Sequence, residues 1–257
     1  MLLALDIGNT RTTVGGMTES ELLFQARLET RLQKTAEEYA LDLRALLSFY
    51  VPEETVTGAI VSSVVPALTD TLAAALRLVT GAGPLVVGPG VRTGLNITID
   101  NPSQLGSDLA VCAVAAVAEY SVPLIVVDLG TATVFSVVDG SRRFRGGMIA
   151  PGLRAGLDAL RSRTAQLPDV PVRAPEHTIG TNTADCIRSG AVLGTACMVD
   201  GLCGRVEEEL GESVRVIATG DMAGVIAPCC RRAVTVDEDL VLKGLRLIWR
   251  KNRGSLA

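Results

Sequence analysis

"VVDLGTATV", residues 126–134, nearly repeats "LALDIGNTRTTV", residues 3–14. In each stretch an apolar run ends in an aspartate, Asp128 or Asp6. One apolar residue and a glycine follow, then a threonine within two residues and a return to β-branched side chains. The pattern is that of a strand, a tight turn and a return strand. Glycine lets backbone amides approach a ligand with no Cβ in the way. Amides and threonine hydroxyls can then donate hydrogen bonds to an anion. The carboxylate does not attract phosphate itself; it fits as the holder of a hydrated cation that bridges to phosphate. Two such turns facing each other across a cleft would grip a triphosphate. Phosphoryl transfer needs chiefly that positioning and charge neutralisation. Neither turn is a Walker A loop, and the chain has no strand-linked G-x-G-x-x-G.

The whole chain narrows the classes further. It has 257 residues, 48% hydrophobic and 20% charged, enough to bury a sizeable core. Its net charge is −4 with no long basic run, so no nucleic-acid partner is expected. The opening "MLLALD" has no basic flank and Asp6 ends its apolar run, unlike a signal peptide. "LAVCAVAAVA", residues 109–118, is about half the ~20 residues a bilayer crossing needs, so it reads as core and no membrane partner is expected. Six scattered cysteines with no CxxC pair read as reduced thiols of a cytoplasmic protein. The single histidine, His177, lies in a proline-rich stretch and reads as an exposed loop residue. If the chain is an enzyme, its chemistry rests on carboxylates, hydroxyls and backbone amides rather than on a histidine triad.

The pattern of elements is predicted to run twice. The first half reads as a strand over 2–5, a turn at Gly8 and Asn9, and a return strand ending at Gly15–Gly16. Thr35 and Glu38 form a capping box for a helix carrying Ala36, Ala40, Leu43 and Leu47. A strand over 58–62, a helix after Pro66, a strand over 84–88, a glycine-rich loop and a helix over 108–118 complete it. The second half restarts with strands over 124–127, 134–138 and 143–145, the last ending at Gly146–Gly147. Helices over 153–166 and 183–210, a strand over 214–218 and a last helix over 240–251 follow. The expected fold is α/β, with two duplicated lobes, 1–120 and 121–257, and a cleft between them. Gly190, Gly194, Gly201 and Gly204 on the long helix read as sites of close packing within one subunit.

The motifs "DIGNT" at Asp6, "VSSVVP" at Val61, "TGLNI" at Thr93, "GSD" at Gly106, "VDLGTAT" at Val127, "GGMIAPGL" at Gly146, "SRTAQLP" at Ser162, "IGTNT" at Ile179, "ATG" at Ala218 and "LKGL" at Leu242 occur in one order. In that order and spacing the chain resembles the type III pantothenate kinase family, within the actin-like (ribonuclease H-like) ATPase and sugar kinase superfamily, along almost its full length. The resemblance implies ATP-dependent phosphorylation of pantothenate to 4'-phosphopantothenate, which opens coenzyme A synthesis. It implies that Asp6, Ile7, Gly8, Asn9, Thr10, Arg11, Thr12 and Thr13 form the first phosphate turn. Thr131 would meet a nucleotide phosphate and Gly220 the adenosine side. Asp128 would bind a monovalent cation, potassium or ammonium, and Mg²⁺ would bridge the phosphates. Asp108 would be the general base, Gly106, Ser107 and Leu109 would lie beside the substrate, and Thr183 would reach it across a homodimer interface. Read from the residues alone, Asp108 and Thr183 are also suited to cap their helices.

Three positions depart from the family pattern. Leu109 stands where an arginine usually pairs with the substrate carboxylate, Ile99 where a tyrosine is usual, and Asp221 where a fourth small residue would follow "ATG". Losing an arginine–carboxylate pair removes a charge-assisted, often bidentate contact. Arg11, Arg92, Arg142 and Arg154 are candidate replacements. The same departures fit a second expectation, a divergent paralogue that binds nucleotide as a regulator or acts on another hydroxyl compound.

Overall fold

The computed structural model describes residues 1–164 and 167–253. The chain divides into two compact units. One comprises Met1–Gly94, Asn101–Ala115 and the chain from Val241 onward; the other comprises Leu95–Asp100 and Ala116–Leu240.

The first unit is built on a five-stranded sheet. β1 (Leu2–Ile7), β2 (Arg11–Met17) and β3 (Leu22–Glu29) form an antiparallel meander, and β4 (Gly58–Ser63) and β5 (Leu85–Val86) add in parallel beyond β1, giving the order β3-β2-β1-β4-β5. Leu3, Leu5 and Ile7 alternate along β1 onto one face and meet Tyr39 and Leu43 of α1 (Ala36–Tyr50) and Leu68, Leu72 and Leu76 of α2 (Pro66–Thr80). Those side chains are almost wholly out of water, each worth about 1.5–3 kcal/mol of transfer free energy. The predicted capping box is present: Glu38 N–H donates to Thr35 Oγ1 at 3.3 Å and Thr35 N–H to Glu38 Oε2 at 2.8 Å. Pro66 opens α2 as expected.

The second unit repeats the plan. β6 (Asn96–Ile97) pairs with the outer strand of a meander formed by β7 (Leu124–Leu129), β8 (Ala132–Val138) and β9 (Arg143–Pro151). β10 (Arg215–Thr219) runs parallel to β7, and β11 (Val234–Val236) parallel to β10, giving β11-β10-β7-β8-β9-β6. α4 (Leu153–Ser162), α5 (Thr183–Leu210) and the short α6 (Ala223–Ile226) accompany this sheet, and Val192, Ala196, Val199, Cys203 and Val206 of α5 lie in its core. α5 has the length and composition to cross a membrane, and one of its faces lies in the core of this unit. β1 and β7 share one burial pattern, five buried positions interrupted only at Asp6 and Asp128.

Two glycine pairs predicted to end strands lie inside them. β2 continues through Gly15 and Gly16, and β9 through Gly146 and Gly147. The glycines serve close approach instead. A Cβ at Gly16 would lie 2.2 Å from the Phe24 ring, and one at Gly147 would lie 1.7 Å from the Phe135 carbonyl oxygen. β3 is a strand beyond those expected from the sequence, and it follows directly from the longer β2. The helix expected over 153–166 ends at Ser162, and Ala165 and Gln166 lie outside the described residues.

α3 (Ser107–Glu119) and α7 (Leu240–Asn252) complete the element order. Within the first unit, α7 packs against the sheet face opposite α1 and α2. A Cβ at Gly15 would meet Leu242 at 2.7 Å, one at Gly58 would meet Trp249 at 2.4 Å, and one at Gly244 would meet the Val111 carbonyl oxygen of α3 at 2.1 Å.

Candidate active site

Asp6 is the one half-buried position of β1, near the carboxyl end of a parallel strand pair, where open α/β sheets place ligands. It sits opposite Thr13 on β2 and Ser62 on β4. Beyond it the chain turns tightly: Gly8 N–H donates to the Arg11 carbonyl at 3.0 Å, and a Cβ at Gly8 would lie 2.9 Å from that oxygen. Asn9, Thr10 and Arg11 form the exposed apex. Ile7 and Thr12 point the other way and are fully buried. The Thr12 hydroxyl bonds to Thr30 Oγ1 at 3.0 Å, and Thr30 donates to the Gly8 carbonyl at 2.8 Å. Thr30 N–H also donates to the Thr10 carbonyl at 3.1 Å. Thr30 is thus a brace under the turn, and Thr12 belongs to the brace rather than to the exposed apex. Nothing in the local sequence marks Thr30; only the register of β3 reveals it.

Asp108 lies in the first turn of α3. Its Oδ1 accepts the Leu109 N–H at 2.8 Å. Burial raises its carboxyl above the ordinary carboxylate range, against the lowering effect of that amide and of its own N–H. Gly106 leaves it room: a Cβ there would lie 2.5 Å from Asp108 Oδ1, so an added side chain would displace the carboxylate. The Ser107 hydroxyl bonds to Ser62 and Ser63 at the end of β4, which brings the start of α3 to the sheet end that carries Asp6. Leu109 is half-buried.

The second turn repeats the first with one difference. Asp128, one residue before the end of β7, lies opposite Val134 of β8 and Thr219 of β10, and Gly130 N–H donates to the Ala132 carbonyl at 3.1 Å. Gly220, at φ +89°, closes over Asp128: a Cβ there would lie 2.4 Å from Asp128 Oδ1 and 2.8 Å from the Leu129 carbonyl carbon. The predicted residues Asp128, Gly130, Thr131 and Gly220 therefore meet at one end of this sheet, with Thr131 and Asp221 exposed. By register Thr133 occupies the place of Thr12, and Gly152 that of Thr30. A Cβ at Gly152 would lie 2.3 Å from the Thr131 carbonyl oxygen, so no second brace fits, and the buried Thr133 hydroxyl finds no hydrogen-bond partner among the described residues.

The remaining predicted positions are scattered. Ile99 is half-buried in the second unit, its Cγ2 3.7 Å from where a Gly146 Cβ would stand. Thr183 is the first residue of α5 and is exposed; the cap is Asn182, whose Oδ1 accepts Asp185 N–H at 3.0 Å. Asp108 likewise lies inside its helix rather than capping it. Of the four candidate arginines, Arg11 lies on the Asp6 turn, whereas Arg142 lies at the opposite end of β7 and β8 from Asp128. His177 is exposed. Among the described residues no cluster of three or more His, Cys, Asp or Glu could cage a metal ion. One carboxylate at each turn suits Mg²⁺, which keeps its waters and takes one or two carboxylates plus phosphate oxygens. The close cradle of Gly130 and Gly220 around Asp128 suits a cation held by one carboxylate and backbone oxygens.

A sequence model of the family described as "Type III pantothenate kinase" matches residues 2–205. A type III pantothenate kinase of Halalkalibacterium halodurans is 38% identical over 253 residues, covering 98% of this chain and all of the relative. One of Anaeromyxobacter sp. is 42% identical over 254 residues, with the same coverage. Among solved structures, the activator of the 2-hydroxyisocaproyl-CoA dehydratase from Clostridium difficile, with bound ADPNP, superposes with a TM-score of 0.56 over 99% of this chain and 96% of that one. At 11% identity the likeness shows a shared fold alone.

Proposed function

The chain belongs to the type III pantothenate kinase family, and from that premise we propose that it transfers the terminal phosphoryl group of ATP to the primary hydroxyl of pantothenate, giving 4'-phosphopantothenate and ADP. The observation that carries this reading is the doubled turn. Each unit carries an aspartate one residue before the end of the strand at the heart of its sheet, with a glycine-closed turn just beyond it.

Roles follow residue by residue. In the first unit, the amides and side chains of Asn9, Thr10, Arg11 and Thr13 bind phosphate oxygens, while Gly8, Ile7 and Thr12 keep the turn in shape. In the second unit, Thr131 meets a phosphate, Gly220 lies on the nucleotide side and Asp128 holds potassium or ammonium. Mg²⁺, when bound near Asp6, neutralises charge on the phosphates. Asp108 takes the proton from the pantothenate hydroxyl as that oxygen bonds to the γ-phosphorus and the bond to the bridging oxygen of ADP breaks. Its raised pKa makes it a better base than a solvated carboxylate.

A homodimer is part of the proposal. A groove of about 560 Å³ lies between α4 and α5, floored by Gly190 and Gly194. A Cβ at either glycine, or at Gly201 or Gly204, would meet nothing within 4 Å among the described residues. These glycines do not serve packing within the subunit, contrary to the expectation from sequence, and the open face suits a second copy. The free thiols fit a cytoplasmic enzyme.

The test is formation of phosphopantothenate from ATP and pantothenate, with and without potassium or ammonium. Turnover that needs both substrates and rises with the monovalent cation is expected; none at millimolar pantothenate would sink the reading. Asp108→Asn is expected to lower kcat by about 10²–10⁴.

A further inference from the structure

The family resemblance places Ser107 beside the substrate, but its hydroxyl is already fully engaged. Ser107 Oγ stands 3.0 Å from Ser62 Oγ, 3.0 Å from Ser63 N and 3.0 Å from the Ser63 carbonyl oxygen. A serine hydroxyl has one proton to give and two lone pairs to accept with. It donates to the Ser63 carbonyl and accepts from Ser63 N–H, so Ser62 donates to it. No capacity remains for a ligand.

The partners of Ser107 are themselves anchored. Ser62 is fully buried and lies directly opposite Asp6 in the parallel register of β1 and β4. Ser63 Oγ accepts from Val65 N–H at 3.1 Å and from Thr69 Oγ1 at 2.8 Å, which ties the same strand end to the first turn of α2. Ser107 is thus the joint between the start of α3 and the sheet end that bears Asp6. The next residue along is Asp108.

We propose that Ser107 is a positioning residue for phosphoryl transfer: held by Ser62 and Ser63, it fixes the Asp108 carboxylate at a set distance from the Asp6 turn. This rests on the reading of Asp108 as the base. The hydroxyl works through Asp108 and not on pantothenate, so its loss affects the chemical step rather than substrate binding. A misplacement of about 1 Å in a reacting group can cost a factor of about 10². Without the joint, water also reaches the Asp108 carboxyl more freely, which returns it toward the ordinary carboxylate range.

The experiment is steady-state kinetics on Ser107→Ala, Ser107→Thr and Ser62→Ala. Ser107→Ala and Ser62→Ala are each expected to lower kcat at least tenfold, with KM for pantothenate changed less than threefold. The acid limb of kcat should move to lower pH, and Ser107→Thr, which keeps the hydroxyl, should recover most of kcat. Ser62 cannot touch substrate, so its matching phenotype separates positioning from contact. A tenfold rise in KM at unchanged kcat for Ser107→Ala, or wild-type kinetics for Ser62→Ala, overturns the proposal. Should Ser107→Ala not fold, Ser62→Ala decides alone, since it removes one bond and leaves the helix start intact. Asp108→Asn separates the two readings. If it turns over at the wild-type rate, the base assignment has failed; if it is inactive while the serine variants are unaffected, only the positioning role has.

Discussion

At Asp108, burial favours the protonated carboxyl, so the folded state holds its proton to higher pH than the unfolded chain. The sign follows. The group favours folding at low pH, and that contribution is lost as pH rises through the raised folded value, leaving a penalty at neutral pH. Asp108→Asn, whose amide oxygen can still accept Leu109 N–H, is therefore expected to melt higher than wild type at pH 7 while losing turnover. The gain should shrink as pH falls through the carboxylate range; thermal melts at pH 4 and pH 7 check it. Gly220 also has little latitude. Gly220→Ala meets both a left-handed φ and the Asp128 oxygen 2.4 Å away. It is expected to destabilise by about 1–3 kcal/mol and to blunt activation by potassium, read from a cation titration of the rate. Both residues were legible in the sequence, Asp108 in "GSD" and Gly220 in "ATG". The contact between Gly220 and Asp128 was not, because it arises from the parallel pairing of strands whose order no local pattern encodes.

Among elements, α7 carries more than its apolar stripe. Asn252, nearly buried, donates to the Arg92 and Ile248 carbonyls at 2.9 and 2.8 Å and accepts Arg92 N–H at 3.1 Å, while Lys251 donates to the Thr93 carbonyl at 3.0 Å. The glycine-rich loop before β6 is thereby tied to a helix from the other end of the chain. Asn252→Ala leaves the Arg92 backbone unpaired and is expected to cost about 2–3 kcal/mol in urea unfolding. The helices were legible where a capping box or a leading proline marked them, as at Thr35 and Pro66, whereas the cap expected at Thr183 is Asn182. The strands were less so. Gly15–Gly16 and Gly146–Gly147 carry the local signature of strand ends, and the reason they do not act so is tertiary: Phe24, Leu242 and the Phe135 carbonyl need the space. Thr30 was invisible for the same reason, its role being set by register and not by neighbours in sequence.

At the scale of the molecule, the duplication is what the sequence disclosed most plainly, because an aspartate–glycine turn after a buried strand is a local signal stated twice. The open face of α5 disclosed less: its glycines fit internal packing and external docking equally until the space around them is seen. Gly194→Arg, with open space at the substituted position, is expected to leave the subunit folded and to move its gel-filtration elution to that of one copy. Retention of the larger species would count against the dimer.

The division of the chain has a temporal corollary. The first unit needs Leu242, Leu245 and Ile248 of α7 to cover one face of its sheet, yet these residues leave the ribosome after the whole of the second unit. During synthesis the nascent amino-terminal half must wait, one apolar face bare, until more than a hundred further residues have emerged. Its aggregation in the cell should therefore depend on chaperone supply more than that of the second unit, whose strands and helices arrive almost without interruption.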